Sequence, residues 1–458
     1  MPMPALMGEI FHRIRSSAFV RSSFVYLVGS VMNSALPMLL LPVLTRYLTP
    51  TDYGIIATST VLVQMFTIVL GLNAFGLISR AHFDHDAKAQ QRLVSTSISL
   101  ALILSGFLWV LILPSSNFLE SVTKFPASWT SVLILIALIS TIQTTYLSLI
   151  QARDEPRRYV RLQIVSTTLN LMLSIFFVVA IGMDWRGRML AIIISGVIIA
   201  LISLHGLASR LNLLRFSFDK SSLRSLFSFG VPLIPHFIGG WVMTMVARLY
   251  LNHLATVADT GLYSVAFSIA SPIALIVGAA NQAYVPALFS KLSNSVTPDK
   301  LRLARILLLG AAALPVLAVF YGVAAYWFLP LLVGPRFHGA AAYVFWLGLG
   351  FAVQGVYFIF GNLVVFSKRT SLMSWRADFL GGLAMLVVCP VLIHFNGPIG
   401  AAQATAIAFA VSCVGCFTAS RVAYPMPWRE ALFSIMAVSR TFTIQKKPLV
   451  VTKAGSEV

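Results

Sequence analysis

Residues 130–158 read TSVLILIALISTIQTTYLSLIQARDEPRR. From Thr130 to Gln151 no residue carries a charge; Arg153, Asp154, Glu155, Arg157 and Arg158 then follow almost without a gap. The hydrocarbon core of a bilayer is about 30 Å thick, and a helix needs about 20 residues to cross it. In lipid a backbone can satisfy its own hydrogen bonds only as a helix or a closed barrel. Apolar residues that run on without alternating select the helix. The same unit, an apolar run closed by a short charged turn, recurs about a dozen times. It places spans near 24–45, 54–79, 93–113, 130–151, 161–183 and 188–209, then near 226–250, 259–288, 304–328, 340–366, 374–394 and 398–421. With 58% hydrophobic and 10% charged residues over 458 positions, the composition excludes a soluble enzyme.

Orientation follows from the basic residues, which gather in cytoplasmic loops. Alternate loops collect 27 of the 33 Lys and Arg residues on one side, leaving Arg46, Lys124, Arg186, Arg188, Arg248 and Arg336 on the other. Both termini are therefore expected in the cytoplasm. The basic segment Met1–Ser23 is not a signal peptide, because the first apolar run is too long and lacks a small-residue cleavage site. Since the +19 net charge is dealt out loop by loop, it reads as topology and attraction to anionic headgroups, not as nucleic-acid binding.

The chain also repeats itself once. Tyr53-Gly54 opens a span that carries Asn73, and Gly261-Leu262-Tyr263 opens one that carries Asn281 and Gln282. Before each lies a proline-containing span ending in an arginine: Pro37, Pro42 and Arg46, then Pro232, Pro235 and Arg248. Six spans per half give both copies the same orientation, the parallel-repeat arrangement. The expected fold is an all-α polytopic membrane protein of about 12 transmembrane helices in two pseudo-symmetric six-helix bundles. Its parts are an N-terminal segment (1–23), the first bundle (24–209), a linker (210–225), the second bundle (226–422) and a basic tail (423–458).

Leu41-Pro42-Val43-Leu44-Thr45-Arg46-Tyr47-Leu48-Thr49-Pro50, followed by Asp52-Tyr53-Gly54, resembles the first hairpin of bacterial polysaccharide biosynthesis proteins. These are the O-antigen and exopolysaccharide repeat-unit flippases, within the wider group that includes the multidrug and toxin exporters. Gly261-Leu262-Tyr263-Ser264-Val265-Ala266, Gln354-Gly355-Val356-Tyr357, Lys368-Arg369-Thr370 and the run from Pro398 to Thr405 match further signatures. The likeness covers nearly the whole chain through Arg421. One departure is Ala247, where the family often carries an acid before the arginine of the seventh span. The resemblance implies an undecaprenyl-diphosphate-linked oligosaccharide as substrate, turned to the periplasmic leaflet of the bacterial inner membrane for surface polysaccharide assembly. It implies membrane lipids and an assembly polymerase as partners.

Moving a glycan through hydrocarbon calls for a lining of hydrogen-bonding groups and cations, because each unsatisfied polar group costs several kcal/mol there (order of magnitude). Arg248 sits in a mostly apolar run, is expected to face a wet cavity, and could grip phosphate with two parallel hydrogen bonds. Its alternative role is a headgroup anchor. Arg46 is placed at the matching point of the other bundle. Asn33, Gln64, Asn73, Asn281, Gln282, Gln354 and Asn362 could meet sugar hydroxyls, or simply tie helices together. Pro37, Pro42, Pro232 and Pro235 are candidate bends for a gate. Carboxylates are nearly absent from mid-span, Asp378 being placed near the cytoplasmic end of its helix. This argues against a carboxylate proton relay and against the rival reading, a cation-coupled drug or small-solute exporter. A membrane glycan polymerase or ligase is a third reading, weakened by the short extracytoplasmic loops. Cys413 and Cys416, and the run His82, Asp84, His85, Asp86, lack the setting of a metal site. No cofactor, metal or catalytic group is expected.

Overall fold

A computed structural model describes residues 38–81, 87–210, 218–294, 300–369 and 374–444. Asn33, Pro37 and the His82–Asp86 run lie outside the described residues. The first bundle contains α1 (Met38–Tyr47), α2 (Pro50–Gly71), α3 (Ala74–Ala81), α4 (Ala87–Ile112), α5 (Ser116–Thr123), α6 (Thr130–Ala152), α7 (Pro156–Ile175) and α8 (Trp185–His205). The second contains α9 (Lys220–Gly230), α10 (Ile234–Leu254), α11 (Val257–Asn294), α12 (Lys300–Leu332), α13 (Ala341–Phe366), α14 (Leu380–Asn396) and α15 (Gly400–Ala423). In the first bundle α6 is central, packing on α2, α3, α4 and α8; in the second, α13 and α15 hold that place. The bundles meet chiefly where α2 crosses α11 and α10.

Among the described residues nine helical segments are long and apolar enough to cross a membrane, ten with one bent pair. The longest, Arg376–Ala423, is a hairpin: Gly400 packs on Leu392, and Gly415 packs on Arg376. The bent pair is Lys220–Leu233 with Phe237–Leu254, turned by 53° in the segment that holds Pro232 and Pro235. Helix α9 begins at Lys220, inside the segment read as linker. Its cap, Asp219, accepts hydrogen bonds from Ser221 and Ser222, which hold its carboxyl at about 2, below the ordinary carboxylate range. Part of the tail also folds, as α16 (Trp428–Ile444), with Trp428 and Ala431 buried against Leu303, Ala304 and Leu307.

The sequence places an unbroken span at 54–79. The structure divides it, because Leu72 and Asn73 both adopt left-handed backbone (φ 39° and 52°) between α2 and α3. Left-handed geometry ends a helix.

The repeat is sharpest at two helix starts. Thr49 and Asp52 form a capping box at α2: Asp52 N–H donates to Thr49 Oγ1 at 3.2 Å, and Thr49 N–H donates to Asp52 Oδ2 at 2.9 Å. Thr256 and Asp259 repeat it at α11, with both distances 3.1 Å. Each box satisfies otherwise unpaired N–H groups and sets a negative charge on a positive helix end. The two starts also touch reciprocally. A β-carbon on Gly54 would lie 1.9 Å from the Val257 carbonyl oxygen, and one on Gly261 would lie 1.9 Å from that of Pro50. Matching Thr49 to Thr256 aligns Arg46 with His253 and Leu41 with Arg248, which corrects the pairing of the two arginines. It also aligns Asn73 with Ala280, one residue from Asn281.

Further reciprocal bonds close this face. Gly334 N–H donates to Thr45 Oγ1 at 3.0 Å, while Asn252, the counterpart of Thr45, donates to the Thr123 carbonyl at 2.7 Å and to Thr58 at 2.8 Å. Phe125 and Phe337 are wholly buried beneath these contacts. Gly261→Ala should force α2 and α11 apart and cost about 1–3 kcal/mol, as overpacking of a tight contact does. Thermal unfolding in detergent should show a lower midpoint for this variant, and no change for Gly278→Ala, whose β-carbon would meet nothing.

Candidate functional site: the cleft between the bundles

Below the sealed face the bundles part around a cavity of about 510 Å³. Gln64 and Thr67 of α2 and Ser140 of α6 line one side; Gly240, Trp241 and Thr244 of α10, with Asp378, line the other. Gln64 lies twelve residues beyond Asp52, about 18 Å along the helix axis at about 1.5 Å per residue. The indole N–H of Trp241 donates to the Val61 carbonyl at 3.1 Å, bridging the bundles at the cavity roof. A smaller cavity of about 140 Å³ continues the cleft, sharing Thr67, Ile68 and Phe237 with the first. Asn73, Thr141, Thr144 and Thr145 supply its polar groups.

The far end of the cleft is closed by α9, where a β-carbon on Gly230 would lie 2.1 Å from the Leu72 carbonyl. The backbone break at Leu72 and Asn73 and the bend after Gly230 therefore meet each other. Asn73 Oδ1 is buried in the cleft wall without a hydrogen-bond partner among the described residues, so a hydroxyl donor there would satisfy it.

The residues singled out from sequence fall into three places. Gln64 and Asn73 line the cleft. Asn281 and Asn362 face each other instead, with Asn362 Nδ2 donating to Asn281 Oδ1 at 2.7 Å, so that they tie α11 to α13. Gln282 is exposed on α11, and Gln354 is half-buried on α13. Arg46 is exposed at the end of α1, beside Gly334. Pro42 lies within α1; Pro232 and Pro235 flank the 53° bend.

Arg248 does not line either cavity: it is only 6% exposed, one helical turn beyond Thr244 toward the seal. Its Nε donates to Ser264 Oγ at 3.1 Å and its Nη1 to the Thr244 carbonyl at 2.7 Å. The guanidinium also lies over the rings of Phe267 (4.6 Å) and Tyr263 (5.4 Å). Stacking on aromatic faces and neutral hydrogen bonds are how the interior holds this cation, since no carboxylate pairs with it among the described residues.

Three features escaped the sequence. Arg188, counted there as a loop residue, is a half-buried cation, donating to Asn170 Oδ1 and Ser174 Oγ, each at 2.6 Å. Both guanidiniums lie close enough to Tyr53 for their charges to act on it. Asp378 lies near a helix end, as expected, but its surroundings were not legible. The structure sets it in a π-helical turn, Ser374–Phe379, only 5% exposed, accepting from Tyr357 Oη at 3.0 Å and contributing to the cavity wall. The hydroxyl row of α6 is the third.

The chain's residues 19–292, more than half of its length, match the family model described as polysaccharide biosynthesis protein. The chain belongs to that family. A Haemophilus influenzae (strain ATCC 51907 / DSM 11121 / KW20 / Rd) sequence named as an uncharacterized membrane protein is 26% identical over 397 residues, 84% of this chain and 94% of the relative. In architecture the chain is similar to the lipid II flippase MurJ in an inward closed conformation, with a TM-score of 0.70 at 10% identity, covering 93% of this chain and 94% of MurJ. It is also similar to an inward-facing multidrug resistance MATE family transporter of the MOP superfamily, with a TM-score of 0.56 at 16% identity, covering 92% and 96%. These likenesses establish the fold: an all-α polytopic membrane protein.

A labelling experiment checks the placement of these side chains. In a background lacking Cys389, Cys413 and Cys416, Gln64→Cys and Thr244→Cys should react with a small maleimide about tenfold faster than Asn362→Cys, since burial in apolar surroundings leaves a thiol inert.

Proposed function

We propose that this protein is a flippase that carries undecaprenyl-diphosphate-linked oligosaccharide units from the cytoplasmic to the periplasmic leaflet of the bacterial inner membrane. The observation that carries the proposal is the chemistry of the cleft. Apart from the Asp378 carboxylate and the Trp241 indole, its polar lining consists of amides and hydroxyls: Gln64, Asn73, Thr67, Ser140, Thr141, Thr144, Thr145 and Thr244. Such groups both donate and accept, as sugar hydroxyls do. Membership of the polysaccharide biosynthesis family and the likeness to a lipid II flippase point to the same substrate class.

The diphosphate needs cations, and neither cavity has an Arg or Lys among its described lining residues. Arg248 and Arg188 stand behind the roof. In this reading the glycan enters from the basic face and fills the hydroxyl-lined cleft. Parting of the Gly54–Val257 and Gly261–Pro50 contacts then brings Arg248 into reach of the anionic group on its way out. The bundles rock about the cleft, with the bend at Pro232 and Pro235 moving α9 at one end and the seal opening at the other. Both termini lie in the cytoplasm, and an assembly polymerase receives the product.

Asp378 favours a second reading, a cation-coupled exporter of small solutes, because a buried carboxylate in a transport cavity is a place for a proton or metal cation. Flipping of a labelled diphosphate-linked oligosaccharide in proteoliposomes separates the two. Wild type should transport, Arg248→Ala should fall at least tenfold, and Asp378→Asn should retain the glycan activity. If folded wild type moves no glycan but exports an organic cation, and Asp378→Asn abolishes that export, the exporter reading replaces the flippase.

A further inference from the structure

A second polar recess lies away from the cleft, on the outside of the first bundle at the end opposite the seal. Here α6, α7 and α8 enclose a groove of about 220 Å³. That is several times the roughly 30 Å³ share of a water molecule in the liquid. Arg158 and Arg161 from the first turns of α7 and His205 from the last turn of α8 supply its polar groups. Arg158 is ion-paired with Glu155, whereas Arg161 is exposed and makes no ion pair among the described residues.

The rest of the lining is apolar. Leu162, Val165 and Ile202 form a floor, and Val165 and Ile202 are themselves exposed, continuing into the bare apolar surface at Ile164 and Leu201. Tyr146 closes the back, its hydroxyl so near the backbone that a β-carbon on Gly206 would lie 2.3 Å from it. Cations above an apolar floor that runs into the lipid-facing belt reproduce the profile of a phospholipid, charge at the headgroup and hydrocarbon below.

We propose that this groove is a binding site for the headgroup of an anionic phospholipid of the leaflet on the basic face, separate from the translocation cleft. Arg161 is its principal phosphate ligand, Arg158 shares its charge between Glu155 and the lipid, and the acyl chains lie along Val165 and Ile202. The site also touches the transport machinery from behind. Tyr146 follows directly on Thr145, which lines the cleft on the other face of α6. A lipid seated against Tyr146 therefore steadies the helix that supplies most of the cleft hydroxyls.

The test is thermal unfolding of the full-length protein in a neutral detergent, titrated in separate arms with phosphatidylglycerol, phosphatidylcholine and inorganic phosphate. A ligand that binds only the folded state raises the midpoint with its concentration. Phosphatidylglycerol should raise it in wild type, in Arg161→Lys and in the remote control Arg224→Gln. The shift should fall to well under half in Arg161→Gln and in the double variant Arg158→Gln/Arg161→Gln. Native mass spectrometry should show one retained phosphatidylglycerol lost in the same two variants. An equal shift in all proteins would overturn the proposal, as would an equal effect of phosphatidylcholine. Inorganic phosphate reproducing the whole effect would replace the lipid with a free anion. None of these outcomes depends on the transported substrate.

Discussion

Two helix N-termini pressed against each other hold this molecule together. Helix ends of like polarity repel, and the starts of α2 and α11 would do so here but for Asp52 and Asp259, which put negative charge on each first turn. Gly54 and Gly261 remove the side chains that would otherwise keep the backbones apart. Because each glycine sits on the other helix's first carbonyl, the contact fixes both the distance and the rotation of the two bundles. The cavity is what remains where the helices part below it. One such closure lies at the seal, and another where Gly230 packs on the Leu72 carbonyl.

The membrane-spanning architecture was legible because long apolar runs leave the backbone little choice, and the loop arginines marked where those runs stop. The register of the repeat was harder to see. Matching arginine to arginine paired Arg46 with Arg248, whereas the feature that recurs is the spacing of Thr, Asp and Gly in Thr49–Gly54 and Thr256–Gly261. The break does carry turn chemistry, in Gly71 and in Asn73, whose residue type tolerates left-handed backbone, but Leu72 between them is a good helix former and masks it. It is the packing of Gly230 on that carbonyl that accompanies it. Asp378 does lie near the start of its helix, but the π-helical turn that carries it is invisible to a count based on regular helices. The hydroxyls of α6 were passed over for a related reason. Thr141 and Thr144 bond their own helix, to the carbonyls of Ala137 and Ser140, as threonines in any membrane helix do. Nothing in sequence separates those that also face a cleft.

Arg248 and the half-buried Arg188 show how a charge is kept in such surroundings with no carboxylate paired to it among the described residues. Arg248 has a ring on each of two sides and neutral oxygens at its N–H groups; Arg188 has an amide and a hydroxyl. Pairing either with a carboxylate would relieve its burial and also cancel its charge. The bonds that are present hold the guanidinium while leaving its charge uncancelled.

The seal is also notable for what its bonds are made of. Hydroxyls, amides, backbone carbonyls and aromatic rings form it, and none of Arg46, Asp52, Lys124, Asp259 or Arg336 takes part in an ion pair among the described residues. Dissolved salt weakens attraction between exposed charges and leaves short neutral contacts nearly untouched. The neutral contacts of the seal will therefore hold about as well in strong salt as in weak, and only the carboxylates of Asp52 and Asp259, set on the two helix ends, are open to screening.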